Sequence, residues 1–456
     1  MAQIINKTAI STAALLLALM LAAPHSTAHA QAVPQPEREQ LLNGLTILYG
    51  NRPGDPNVLL KLRIKSGAAF DLAGKAGTMS LLADAMFPES TTREYVAEQL
   101  GGRLDVTTTY DSIDVTISGK SSELERMIEI LRNGIINVNL SAESVAALRA
   151  ERTKQLAEKS SSADAADRGV ATRLFGSYPY GSPSQGTVET IAKIERADLM
   201  LERERFLNAD NAALAVIGGV EKARVMRALR QLLGPWQKGD RIVPATFRQP
   251  GAVDDRVLVL DQESGKNVQI RLAVRGLSRS DPDARAASHL AQIANMRWQK
   301  AVPELSTTSL VRNDEYALGG MFMFAATVPA TSANKTIAAA RKIMTDLAES
   351  GPSEGEVPRT VVPPDWPSSP AVASVWLDAE SYKVPANKLV EATPITAADM
   401  RRTAARLFAN SAPLAIVVLG NAAELQTQLG YKVELRSNAP EPSKPEKTPL
   451  TTPKKP

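Results

Sequence analysis

Ile194-Glu195-Arg196-Ala197-Asp198-Leu199 leads past Phe206 to Asn211-Ala212-Ala213-Leu214-Ala215-Val216-Ile217-Gly218-Gly219, and the same pattern returns near the end of the chain. There Ile395-Thr396-Ala397-Ala398-Asp399-Met400 leads past Phe408 to Ala412-Pro413-Leu414-Ala415-Ile416-Val417-Val418-Leu419-Gly420. The two aspartates lie 201 residues apart and the closing glycines (Gly218, Gly420) 202 residues apart. Upstream, Val58 to Gly67 (VLLKLRIKSG) resembles Val268 to Gly276 (VQIRLAVRG). A register held across a helix and a strand is the mark of an internal duplication, and two copies of one unit predict two lobes of the same fold.

Each copy gives the same coarse reading. Alternating apolar and polar residues predict strands at Leu45–Tyr49, Val58–Lys65 and Asp114–Ser118. Amphipathic spacing predicts helices at Glu123–Ile135 and Ser141–Glu158 in the first copy and Ser332–Glu349 in the second, with a further helix at Arg285–Ala301. An unbroken apolar strand closes each copy, at Ala213–Ile217 and Leu414–Leu419. Strands and helices without regular βαβ alternation predict an α+β fold of two homologous lobes, each a largely antiparallel sheet packed with helices. The expected boundaries are a leader over 1–30, an N-terminal lobe over 31–235, a Pro/Gly-rich linker over 236–255, a C-terminal lobe over 256–430 and a tail over 431–456. The proline-rich stretch 352–370 should be irregular, and the Pro/Lys/Thr composition from Asn438 onward predicts no packed structure.

Composition limits the chemistry. The 456 residues are 44% hydrophobic and 22% charged, which suffices for two cores, and the formal charge of +4 without a dense Lys/Arg run points away from nucleic acid. Lys7, the apolar run Ala9 to Pro24 and Ala28-His29-Ala30 read as a secretory leader cut before Gln31, so the expected location is periplasmic or secreted. An uncleaved anchor is the competing reading, but the apolar run is short for a span. There is no cysteine, which removes thiolate metal sites and a Cys nucleophile. Of three histidines, His25 and His29 fall in the leader and only His289 remains, so no pair of histidines can bind a metal in the mature chain.

The first copy resembles a known family. Asn43-Gly44-Leu45 before a strand, Lys65-Ser66-Gly67-Ala68, Gly74 and Gly77 ahead of a helix ending Met86-Phe87, Leu100-Gly101-Gly102-Arg103-Leu104-Asp105-Val106-Thr107, Tyr178-Pro179-Tyr180-Gly181 and Gly186-Thr187 follow the order seen in the pitrilysin/insulinase peptidases and mitochondrial processing peptidases. The resemblance runs from about Leu41 to Leu425. It implies a zinc motif H-x-x-E-H on the first long helix, where two histidines one turn apart hold zinc and the glutamate activates water. Here the histidine positions fall on Ser80 and Asp84, the glutamate position falls on Ala83, and the distal glutamate ligand matches Glu158. Ser80 is a poor zinc ligand and Ala83 cannot accept a proton. Asp84 and Glu158 together would suit Mg²⁺ or Ca²⁺ better than zinc and would need further ligands. The resemblance therefore implies a degenerate site, with no metal and no catalytic residue in this chain.

The family's second functional element is an Arg with a Tyr seven residues later, which hold the substrate backbone. The match is Arg297, with Glu304 at the tyrosine position; an acceptor-only carboxylate cannot replace the phenol's donor. Arg312 and Tyr316 form a rival register but are too close together and too near a strand. His289 on a predicted helix reads as a structural or surface residue, and Trp236, Trp298, Trp366 and Trp376 as core or interface filling. The resulting expectation is an exported, non-catalytic subunit of a heterodimeric zinc peptidase, forming half of a peptide-binding chamber with a zinc-bearing homologous partner. The alternative is a stand-alone peptide-binding or assembly protein on an inactive peptidase fold. A rewired active peptidase would have to work with one histidine and no cysteine.

Overall fold

The structure, a computed structural model, describes residues 34–240, 243–244, 246–262, 265–357, 368–389, 394–409 and 413–437. The expected leader and the segment 438–456 lie outside the described residues, as do Trp366 and 358–367 of the proline-rich stretch.

Among the described residues twelve strands form two six-stranded sheets. The first comprises β1 (Glu37–Gln40), β2 (Thr46–Asn51), β3 (Asn57–Ile64), β4 (Arg103–Thr108), β5 (Ile113–Lys120) and β6 (Ala212–Gly218), in the order β1-β2-β6-β3-β5-β4. The second comprises β7 (Val257–Asp261), β8 (Asn267–Gly276), β9 (Ser309–Asp314), β10 (Gly320–Pro329), β11 (Leu414–Gly420) and β12 (Val433–Ser437), in the order β12-β7-β11-β8-β10-β9. The two orders superpose strand for strand from β2/β7 to the hairpins β4-β5 and β9-β10, so the duplication seen in sequence is a duplication of topology. Most pairings are antiparallel; β2–β6, β7–β11 and β7–β12 are parallel. The second lobe runs past 430, because β12 pairs along β7 and residues 433–437 belong to the sheet rather than to the tail. The linker likewise gives Trp236 to the first core, where it is buried.

The longer helices are α1 (Thr78–Met86), α2 (Ser90–Glu98), α3 (Leu124–Ile136), α4 (Ala142–Lys159), α5 (Ser162–Phe175), α6 (Arg196–Phe206), α7 (Lys222–Leu233), α8 (Ala284–Ala301), α9 (Ala333–Ser350), α10 (Ser369–Tyr382) and α11 (Ala397–Leu407). The repeated motifs that opened the sequence are helix starts. Glu195 with Asp198 caps α6, and Thr396 with Asp399 caps α11, each as a reciprocal pair in which the third helical residue bonds back to the cap.

Strand alternation sends Val58, Leu60, Leu62 and Ile64 of β3 into the main core of the first lobe, and Val268, Ile270, Leu272 and Val274 of β8 into that of the second. The opposite faces are closed by exchange. Helix α10, from the second half of the chain, packs Val372, Ala373, Trp376 and Leu377 on Leu48, Leu59, Ala213, Ala215 and Ile217 of the first sheet. Helix α5, from the first half, packs Ala166, Val170 and Leu174 on Leu258, Ala273, Val417 and Leu419 of the second. Charged side chains on these faces find partners across the same contacts. Lys61 donates to Ser374 at 2.7 Å and Arg63 to Asp378 at 2.5 Å, both on α10, while Arg271 pairs with Asp167 of α5. Neither lobe is therefore complete without the other half of the chain.

Candidate functional site

Helix α1 is fixed at its start by two features. Asp71 accepts from the backbone N–H groups of Gly77 at 2.6 Å and Met79 at 2.8 Å, satisfying orphan donors of the first turn. Gly77 adopts φ +93°, and a Cβ there would lie 2.9 Å from the Gln185 carbonyl, so only glycine lets the Gln185 loop lie against the helix. Residues 80, 83 and 84 share one face of α1 by their i, i+3, i+4 spacing. That face points at α4 and at Gln185. Ser80 and Ala83 are buried.

A guanidinium organises the site. Arg152 of α4 donates to Asp84 through Nε at 3.0 Å and also through Nη2, and its Nη1 donates to Gln185 Oε1 at 2.6 Å. Gln185 Oε1 also accepts from the Ser80 hydroxyl at 2.9 Å, and Gln185 Nε2 donates to the Thr108 carbonyl at 3.4 Å. Burial raises the Asp84 carboxyl above its ordinary value, and the Arg152 charge pulls it part of the way back. Glu158 takes no part in this network. It lies six residues beyond Arg152, about 240° around the helix, and is exposed. The structure thus brings together Ser80, Ala83 and Asp84, and the α4 residue that meets them is Arg152.

These residues do not fit zinc. Where the first histidine is expected stands a neutral hydroxyl engaged by Gln185, where the glutamate is expected stands a methyl group, and the remaining carboxylate is paired with an arginine. Among the described residues no group of three or more His, Cys, Asp or Glu side chains is placed to hold a metal. His289 does not remedy this: it sits half-buried on α8 in the second lobe, with burial and then Arg285 lowering its pKa, and its Nδ1 has no hydrogen-bond partner among the described residues. With neither histidine ligands nor a base at position 83, no zinc-peptidase site is formed among the described residues.

Arg297 and Glu304 are not brought together. Arg297 of α8 forms a two-pronged pair with Glu356 at 2.7 and 2.8 Å and reaches the Gly351 carbonyl at 3.3 Å. Its hydrogen bonds hold the Glu356 carboxyl down to about 2. Glu304 lies past the end of the helix, 3.9 Å from the exposed Lys335. The rival pair also has other partners: Arg312 bonds Asp314 at 3.0 Å and Asp167 at 3.2 Å. Tyr316 joins an aromatic group between the lobes, its ring centroid 4.9 Å from Tyr110 and 4.6 Å from Tyr180. Within that group Asp111 accepts from the Tyr180 hydroxyl at 3.1 Å and from the Ala317 N–H at 2.8 Å, and Tyr110 donates to the Ser182 carbonyl at 2.7 Å. Tyr180 belongs to the quoted motif Tyr178-Pro179-Tyr180-Gly181, but nothing in the sequence alone indicates that its hydroxyl accepts from the Leu318 N–H of the second lobe at 3.2 Å. A cleft of about 810 Å³ opens beside Gln185, between the end of α4, the start of α5 and Gly186–Glu189.

Fold and site together define a two-lobed relative of metallopeptidases in which Ser80, Asp84, Arg152 and Gln185 bond one another. The chain belongs to the M16 peptidase family: residues 46–187 match the model "Insulinase (Peptidase family M16)" and residues 193–361 match "Peptidase M16 inactive domain", together more than half of the chain. Among solved structures, a peptidase M16 inactive domain from Pseudomonas fluorescens superposes with a TM-score of 0.74 at 17% identity, covering 85% of this chain and 98% of that one. The periplasmic protease PqqL from Escherichia coli superposes with a TM-score of 0.68 at 16% identity, covering 87% of this chain but 49% of that one. At this identity the likeness is one of fold. Among curated proteins, an uncharacterized zinc protease of Rickettsia felis is 24% identical over 46% of this chain and 52% of its own length. Human cytochrome b-c1 complex subunit 1, mitochondrial, is 24% identical over 47% of this chain and 46% of its own. The chain thus matches about half the length of these curated relatives. Among the described residues no helix is long and apolar enough to cross a membrane.

Proposed function

We propose that this chain is the exported, non-catalytic subunit of a heterodimeric insulinase/pitrilysin-type zinc peptidase, supplying half of a peptide-binding chamber to a zinc-bearing homologous partner. The observation that carries the reading is the Arg152 guanidinium on Asp84, in a fold otherwise intact in both lobes. A scaffold that keeps two cores and an interlobe cleft while filling its own metal position suits a chamber wall better than a catalyst. PqqL supports the arithmetic of lobes, because this chain covers about half of it, so one such protein holds twice the material found here. Its description as periplasmic agrees with the expected leader over 1–30 and a periplasmic or secreted location. Fold likeness alone does not fix function, and the pairing rests on the site together with the lobe count.

The test is co-expression with a zinc-bearing homologue exported by the same cell, followed by size-exclusion chromatography and a peptide-cleavage assay. The expected result is a one-to-one complex with a large, permanent-type interface and chelator-sensitive cleavage that falls when this chain is omitted. The isolated chain should cleave nothing. If both proteins stay monomeric at micromolar concentration and cleavage is indifferent to this chain, the subunit reading fails. The alternative, a peptide-binding or assembly role without cleavage, then takes its place; the relative named as a cytochrome b-c1 complex subunit is the observation in its favour.

A further inference from the structure

We infer that the Arg152 guanidinium stands in for the metal ion itself, carrying the positive charge of the site and tying α1, α4 and the Gln185 loop together, so that restoring the three motif residues while Arg152 remains does not rebuild a zinc site. The argument begins with what the guanidinium touches. Two of its N–H groups go to Asp84, at the second histidine position. A third goes to Gln185 Oε1, the same oxygen that accepts the hydroxyl of Ser80, at the first histidine position. One planar cation therefore links both former ligand positions, directly on one side and through a shared oxygen on the other. A metal held by a His₂Glu set would join the same two helices, α1 and α4.

The helix geometry identifies residue 152 as the α4 position that looks into the site. Glu158 is turned away and exposed, so the carboxylate that seems retained in sequence cannot serve without unwinding the end of α4. The Arg152 side chain is 12% exposed. Its planar guanidinium is a cation on a covalently held stem. An incoming divalent cation would meet a fixed positive charge at hydrogen-bond distance from the ligand positions. Compared with a site that holds zinc through the H-x-x-E-H set, this one then differs not in its ligands alone but by one cation in place of another.

The inference is independent of pairing with a partner, so failure of the subunit reading leaves it standing. The test uses the full mature chain in three forms: wild type, S80H/A83E/D84H, and S80H/A83E/D84H/R152E. Arg152→Glu puts a carboxylate on the helix face that looks into the site, completing a His₂Glu set. Zinc content after dialysis and the absorption spectrum on cobalt substitution are the readouts. The expected result is no stoichiometric zinc in the first two forms and one zinc per chain in the third, bound roughly 100-fold or more tightly than by the second. Equal zinc binding with Arg152 present and absent overturns the inference. Should the fourfold variant not fold, Asp84→Asn, Arg152→Gln and the double variant decide the matter by melting temperature. A linking cation predicts that each single change lowers Tm by several degrees and that the double change costs clearly less than their sum; additive losses overturn it.

Discussion

The indole of Trp376 occupies the space a side chain on Gly50 would need: a Cβ at Gly50 would stand 2.5 Å from the Trp376 ring. Gly50 lies on β2 and Trp376 on α10, more than 300 residues later, and the same indole donates to the Pro34 carbonyl at 2.6 Å. A helix from one half of the chain is thus keyed into the sheet of the other. Gly50→Val is expected to lower stability by about 1–3 kcal/mol, because a rigid ring rather than a flexible tail must move aside. Trp376→Ala should cost more, about 3–5 kcal/mol, through the cavity it leaves. Urea denaturation of the two variants measures both, and a neutral Gly50→Val would mean that α10 is loosely seated.

Glu202 gives a pH dependence with a definite sign. It is fully buried on α6, with one oxygen accepting from Arg205 at 3.0 Å and the other without a partner among the described residues. Burial raises its carboxyl to about 7, against an opposing pull from Arg205. A carboxyl raised on folding favours the folded state fully below its ordinary value, and that contribution is lost as pH rises through the folded value. Glu202→Gln, which mimics the protonated form, should therefore match wild type near pH 4 and exceed it at pH 8 by on the order of 2–3 kcal/mol. Thermal melts at the two pH values decide it. A difference of the same size at both would show that the effect is not one of protonation.

Arg297 is expected to act on Glu356 rather than on a peptide. Its two-pronged pair holds Glu356 near 2, so Arg297→Ala should return that carboxyl toward the ordinary glutamate range, with a stability loss of about 1 kcal/mol because the pair is part-exposed. A carbon-13 NMR titration of the Glu356 carboxyl reads the shift directly. In a complex with a cleaving partner, the same variant should leave the peptide KM unchanged; a large rise in KM at equal occupancy would give Arg297 back its substrate role.

Both successes and misses of the sequence reading have physical causes. The closing strands and the amphipathic helices were legible because local periodicity encodes them, and Asp198 and Asp399 repeat because each closes a helix cap. Ser80, Ala83 and Asp84 share a face because residues spaced i, i+3 and i+4 on one helix are local neighbours. Arg152 was not found, since α4 follows α1 by more than 50 residues and sequence spacing does not say which of its faces turns inward. Glu158 matches the distal ligand in chemistry, but on α4 it is exposed, about 240° around the helix from Arg152. The second lobe extends past 430 without a sequence signal because β12, Val-Glu-Leu-Arg-Ser, is mostly exposed and carries little apolar pattern. The exchange of α5 and α10 has no sequence signature: an apolar helix face does not name the sheet it covers.

That exchange leads to the last prediction, that the two halves do not fold apart. A fragment ending near residue 240 would keep α5 but lose the second sheet that α5 covers, leaving Ala166, Val170 and Leu174 in water. It would also lose α10, exposing Leu48, Leu59, Ala213, Ala215 and Ile217 on the first sheet. Worse for the fragment, Arg63 is buried between Asp114, at 2.7 Å, and Asp378, at 2.5 Å, and Asp378 also binds Arg279 of the second lobe. Removing one member of such a cluster strands charge in a low-dielectric interior and costs about 3–5 kcal/mol, a large share of the roughly 5–15 kcal/mol that holds a domain together. The intact chain should therefore unfold in one transition, with tryptophan fluorescence and far-UV circular dichroism coinciding across a urea series. The fragment 31–240 alone should bind a hydrophobic dye and show broad, poorly dispersed NMR signals, and adding the complementary fragment should restore dispersion. Two separated transitions in the intact chain, or a well-dispersed spectrum from the isolated fragment, would show that the exchanged helices decorate the lobes without completing them.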